Sequence, residues 1–159
     1  MALTKINNNT LSAVTTLPSA IATGKVLQVV GVTDTTTRST TGTSFALNSS
    51  ALTLNITPSA TSSKILVHLS CLFYINNSSG RLTIFRDSTN LGGSGANDGF
   101  IVTDGDAKYF ATSGVHIIDS PSSTSAVNYQ IRFKSDNGQT VEVVGGGMLN
   151  SLTLMEIGA

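Results

Sequence analysis

A chain of 159 residues is long enough for one domain whose core needs neither metal nor disulfide. Nine basic residues balance nine acidic ones, and only 11% of the chain is charged; this speaks against nucleic-acid binding, because neutralising phosphates calls for a basic surface. Hydrophobic residues at 40% speak against disorder, and no apolar run approaches the roughly 20 residues that span a bilayer, so neither nucleic acid nor membrane is an expected partner.

Residues 1–23 mix single apolar side chains with Asn, Ser, Thr and Pro18 and keep no period. Leu3, Ile6, Leu11, Val14, Leu17 and Ile21 make this stretch more apolar than a free tail needs, so it is read as an extended arm rather than a disordered tail. The remainder, 24–159, is read as one domain. The start lacks both a basic segment and a long apolar one, so synthesis and assembly in a cytoplasm are expected.

After Gly24 the strand signals begin. Lys25 to Val32 is β-branched and apolar at successive positions, as in a strand covered on both faces. Thr33 to Thr43 is polar. Leu52, Leu54 and Ile56 alternate with Thr53, Asn55 and Thr57, and Pro58 ends that strand. From Ile65 to Ile75 every odd position is apolar, which marks the core face. Leu66, Leu72 and Tyr74 leave the even face too apolar for open water, so another sheet or subunit is expected over it.

Asn76 to Gly80 reads as a turn, Arg81 to Arg86 as a strand, and Gly92 to Gly95 as the start of a long loop. Further strands are expected at Phe100 to Thr103 and Lys108 to Ile118. Val127, Tyr129, Ile131 and Phe133 alternate with polar residues, and Asn137-Gly138 suits a tight hairpin into Thr140 to Val144. Gly145 to Gly147 breaks the chain before Ser151 to Ile157. In that last run Leu152 and Leu154 share one face while Met155 and Ile157 share the other. Eight or nine strands with no helix point to an all-β antiparallel sandwich of the jelly-roll type.

Little chemistry stands out. Serine and threonine number 21 and 22, so counting cannot exclude a Ser/His/Asp triad, but no Gly-x-Ser-x-Gly elbow occurs. Parity puts His68 and Cys71 on opposite faces of one strand. Cys71 reads as a core residue, and His68 and His116 as surface or interface residues rather than ligands. Asp104-Gly105-Asp106 reads as a turn, because the later ligands of a calcium loop are missing. No catalytic residue, cofactor or metal site is expected. The weak surface charge lacks the repulsion that keeps copies apart, so self-association is.

Four segments resemble one family. Thr23 to Val30, Ile56 to Val67, Leu82 to Asp87 and the closing Leu152-Thr153-Leu154-Met155-Glu156-Ile157 are together similar to small jelly-roll modules on the virions of tailed phages, especially phages of cyanobacteria and other marine bacteria. The resemblance implies a tumour-necrosis-factor-like homotrimer on the virion surface. It would serve as a head decoration (cement) protein bound to the phage major capsid protein, or as the tip of a tail or head fibre recognising host glycan. A front segment of only some 23 residues favours the capsid-bound form, with the six apolar residues of the arm as the anchor. Leu66, Leu72, Tyr74, Met155 and Ile157 are the expected trimer interface. An enzyme ranks third, for want of a paired-carboxylate constellation.

Overall fold

The computed structural model describes residues 25–46, 52–76, 78–95, 98–105 and 109–158, except the side chains of Ser78 and of 102–113. The proposed arm, with Leu3, Ile6, Leu11, Val14, Leu17 and Ile21, lies outside the described residues. Every regular element among them is a strand: β1 (Val26–Asp34), β2 (Arg38–Thr40), β3 (Thr53–Ile56), β4 (Lys64–Ile75), β5 (Ser78–Arg86), β6 (Thr89–Asn90), β7 (Ile101–Gly105), β8 (Tyr109–Asp119), β9 (Val127–Ser135), β10 (Val141–Val143) and β11 (Asn150–Ile157). All pairings are antiparallel and form two sheets, as the alternating patterns predict.

In the six-stranded sheet β4 is the central strand. One side of it pairs with β8 from Ile65 to Ile75; the other pairs with β11 from Lys64 to Ser70 and with β10 from Phe73 to Ile75. β1 lies beyond β11 and β2 beyond β10. At Leu72, where β4 changes partner, a side chain completes the ladder: Leu72 N donates to Asn150 Oδ1 at 3.0 Å, and Asn150 Nδ2 donates to Val144 O at 2.9 Å. The second sheet runs β3-β9-β5, with β6 and β7 both on the far side of β5.

The core lies between the sheets. Odd residues of β4 meet Tyr129, Ile131 and Phe133 of β9, Leu82 and Ile84 of β5, and Leu152 and Leu154 of β11, all buried. Phe73 and Phe133 meet edge to face at 6.3 Å, an arrangement that aromatic quadrupoles favour. Leu154 is fully buried, so its parity in the sequence reads correctly.

Expectations about turns and coverage need correction: Ser78, Ser79 and Gly80, read as part of a turn, already belong to β5. Asn137-Gly138 does turn the chain, with Gly138 at φ 79°, but β9 and β10 belong to different sheets, so the segment is a crossover and not a hairpin. Local turn chemistry does not decide which strands pair. Lys25 to Val32 is not covered on both faces within the chain: β1 is an edge strand whose outward side chains stay open, with Val29 56% exposed. At Gly145 a Cβ would overlap the Thr35 carbonyl, so only glycine lets the β10–β11 link pass the β1–β2 link, where Gly145 N donates to Thr37 Oγ1.

Candidate functional site

Antiparallel register turns the outer face of the six-stranded sheet into rows of side chains. One row is apolar from edge to edge: Val29 of β1, Met155 of β11, Leu66 of β4 and Ile118 of β8 stand opposite one another in turn. Ile118 is 66% exposed, while Met155 and Leu66 are half-buried between the two edges. Val26 and Leu27, both exposed, extend the patch at one end beside Ile157. The next row along is Gly31, Thr153, His68 and His116. Lys64 and Glu142, charged and turned outward from this sheet, stand in rows far apart along β4.

All five residues expected at an interface are half-buried and lie on this outer face. They do not form one cluster. Leu66, Met155 and Ile157 gather near one end, while Leu72 stands opposite Thr112 and Tyr74 opposite Glu142, beyond the His68 and Ser70 positions. Six residues separate Leu66 from Leu72, about 20 Å along a strand. Sequence reading missed Val29 and Ile118, the most exposed members of the row. Only the register brings β1 and β8 into line with Leu66.

Buried polar groups elsewhere tie the sandwich together. Glu156 shares the inward parity of Leu152 and Leu154 and is 1% exposed. Its Oε1 accepts from Ser59 N at 2.7 Å, Ser59 Oγ at 2.6 Å and Ser63 Oγ at 2.7 Å, and its Oε2 from Gln28 Nε2 at 2.6 Å. Burial raises the pKa of this carboxyl, and the four donated hydrogen bonds outweigh it, holding the group at about 2. The carboxylate thus ties β1 and the β3–β4 loop to β11. At Asp119, Arg86 Nη1 donates at 2.8 and 2.9 Å and the Tyr129 hydroxyl at 2.7 Å, linking the two sheets. Burial, and then the bond to Asp119, push the Tyr129 phenol well above its ordinary value. Cys71 faces the core, where burial pushes its thiol up to about 12 and makes it a poor nucleophile.

The outer face of the second sheet bears on glycan recognition. Arg132 lies over the Phe85 ring at 4.0 Å and Lys134 Nζ over the Phe45 ring at 4.6 Å, while Phe45 and Phe85 meet edge to face at 6.0 Å. These ring faces already hold cations, so they offer no platform for a sugar. Tyr129 is fully buried. Asp104 and Gly105 belong to β7, and Asp106 lies outside the described residues.

A scan of the chain against protein-family models finds no match, and a search of curated proteins finds none.

Proposed function

We propose that this chain is a jelly-roll virion protein of a tailed phage that associates as a homotrimer, binds the major capsid protein and stabilises the head lattice. The observation that carries association is the apolar row Val29, Met155, Leu66 and Ile118, exposed at its two ends and half-buried between them in the single chain. A row this apolar, on a sheet with little outward charge, gains free energy when another copy covers it. Full burial of an exposed side chain of this kind, as at Val29 and Ile118, is worth up to roughly 1.5–3 kcal/mol.

Strand order supports the jelly-roll assignment. The last strand, β11, lies between the first, β1, and the central β4, with β8 beyond; the other sheet places β9 between β3 and β5, with β7 beyond. The chain passes repeatedly from sheet to sheet between these strands, as two interlocked Greek keys require. The phage assignment rests on the four sequence segments that resemble virion modules. The residue 1–23 arm would lie across coat subunits, and added buried area would oppose the outward pressure of packaged DNA.

Purified protein added to heads that lack it tests this reading. Occupancy of many equivalent positions at three-fold points of the lattice is the expected result. Failure to bind heads, with a few copies found on the tail instead, would transfer the reading to a receptor-binding tip.

A further inference from the structure

The chain has two histidines, and the fold sets them face to face: His68 of β4 and His116 of β8 are direct partners in the register. Their imidazoles stack 4.5 Å apart at 12° on the outer face of the six-stranded sheet. We propose that this pair is a two-imidazole binding site for a borderline divalent transition-metal ion of the zinc, nickel or copper(II) class.

The register of the two strands supports the assignment. Directly opposed residues on neighbouring antiparallel strands hold their Cβ atoms about 4.5–5.5 Å apart, so both rings leave a fixed base with a common direction. Two nitrogens on one tetrahedral zinc stand about 3.4 Å apart at a Zn–N distance of 2.0–2.1 Å. In the stacked pair the ring planes are nearly parallel, so both imidazoles must turn out of the stack about their side-chain torsions before one nitrogen of each can point at the same ion.

The surroundings are uncrowded as well. Beside His116 the next outward position on β8 is Gly114, where even a built Cβ would stand 3.6 Å from His116 Nε2. Across the sheet the row continues with Thr153 and Gly31, which present no bulky or cationic group to the pair. Among the described residues no third histidine, cysteine or carboxylate joins them, so the remaining coordination positions fall to solvent or to a ligand from another chain. Cys71 points to the opposite side of the sheet and takes no part. Both imidazoles belong to one chain, on the face through which copies are proposed to meet and one row from the apolar one.

Isothermal titration of the full chain with zinc sulfate tests the proposal. Wild type should bind zinc, and His68→Gln and His116→Gln should each weaken that binding. Losing a group that merely orients a metal ligand already costs about 10–100-fold, so losing a ligand should cost at least as much. Unchanged far-UV circular dichroism would verify that the variants fold. No binding by wild type, or variants that bind as wild type does, would overturn the proposal. Should a variant fail to fold, copper(II) added to the wild-type chain provides the second measurement. Paramagnetic broadening centred on the two imidazoles supports the site; broadening that spares them refutes it.

Discussion

Replacing Glu156 by Gln keeps the shape of the side chain and removes its charge. An amide still offers one oxygen to Ser59 and Ser63, but its NH2 would face the Gln28 NH2, donor against donor, in place of the present 2.6 Å bond. A hydrogen bond to a charged group is worth roughly 1.5–3 kcal/mol, and a buried donor left unpaired costs roughly 1–3 kcal/mol. Ser59 is exposed and water can serve it, so the expected loss at pH 7 is about 2–4 kcal/mol. For a chain of this size that corresponds to a fall in Tm of roughly 4–16 °C. The pH dependence is diagnostic. The carboxyl lies at about 2 when folded, against an ordinary 4.5, so its stabilisation is complete above 4.5 and is lost as the pH falls from there toward 2. Calorimetric melting of wild type and variant at several pH values should show a gap that is full at pH 7 and closes in acid. A gap independent of pH, or a variant as stable as wild type, would refute the role given to this carboxylate.

Leu154→Ala should cost roughly 2–5 kcal/mol, because the side chain is fully buried between the sheets; denaturant unfolding measures it. Asp119→Asn should weaken the Arg86 and Tyr129 link between the sheets by roughly 1.5–3 kcal/mol in the same assay. Cys71, with its thiol pushed up to about 12 by burial, should ignore a disulfide reagent at pH 8 in the folded protein and react once guanidinium unfolds it.

Period-two alternation made the faces legible in the sequence. Ile65 to Ile75 and Val127 to Phe133 have the inward parity that their patterns predict, because one buried face fixes a strand's orientation. Pairing was not legible. Asn137-Gly138 carries a hairpin signal yet joins different sheets, and the opposition of His68 to His116 comes from strands far apart in the chain, whose register no local signal encodes. β1 reads as a doubly buried strand because Val26, Leu27, Val29 and Val30 are all apolar, but within one chain it is an edge. Its surplus apolar character is what the proposed association would cover. Glu156 was readable by parity, since it follows Leu152 and Leu154 in the inward row, but the donors that accept its burial come from Gln28, Ser59 and Ser63 far along the chain.

The central claim is that copies of this chain meet through the outer face of the six-stranded sheet. Light scattering of purified protein at micromolar concentration, comparing wild type with a Met155→Asp, Ile118→Asp double variant, measures it directly. Both side chains point outward, so the substitutions place unpaired charge on the open row without touching the core. The account predicts a wild-type mass of three 16.4 kDa chains and a variant that dissociates while keeping its strand signature in circular dichroism. A wild-type monomer, or a variant that remains trimeric with an unchanged Tm, would contradict it.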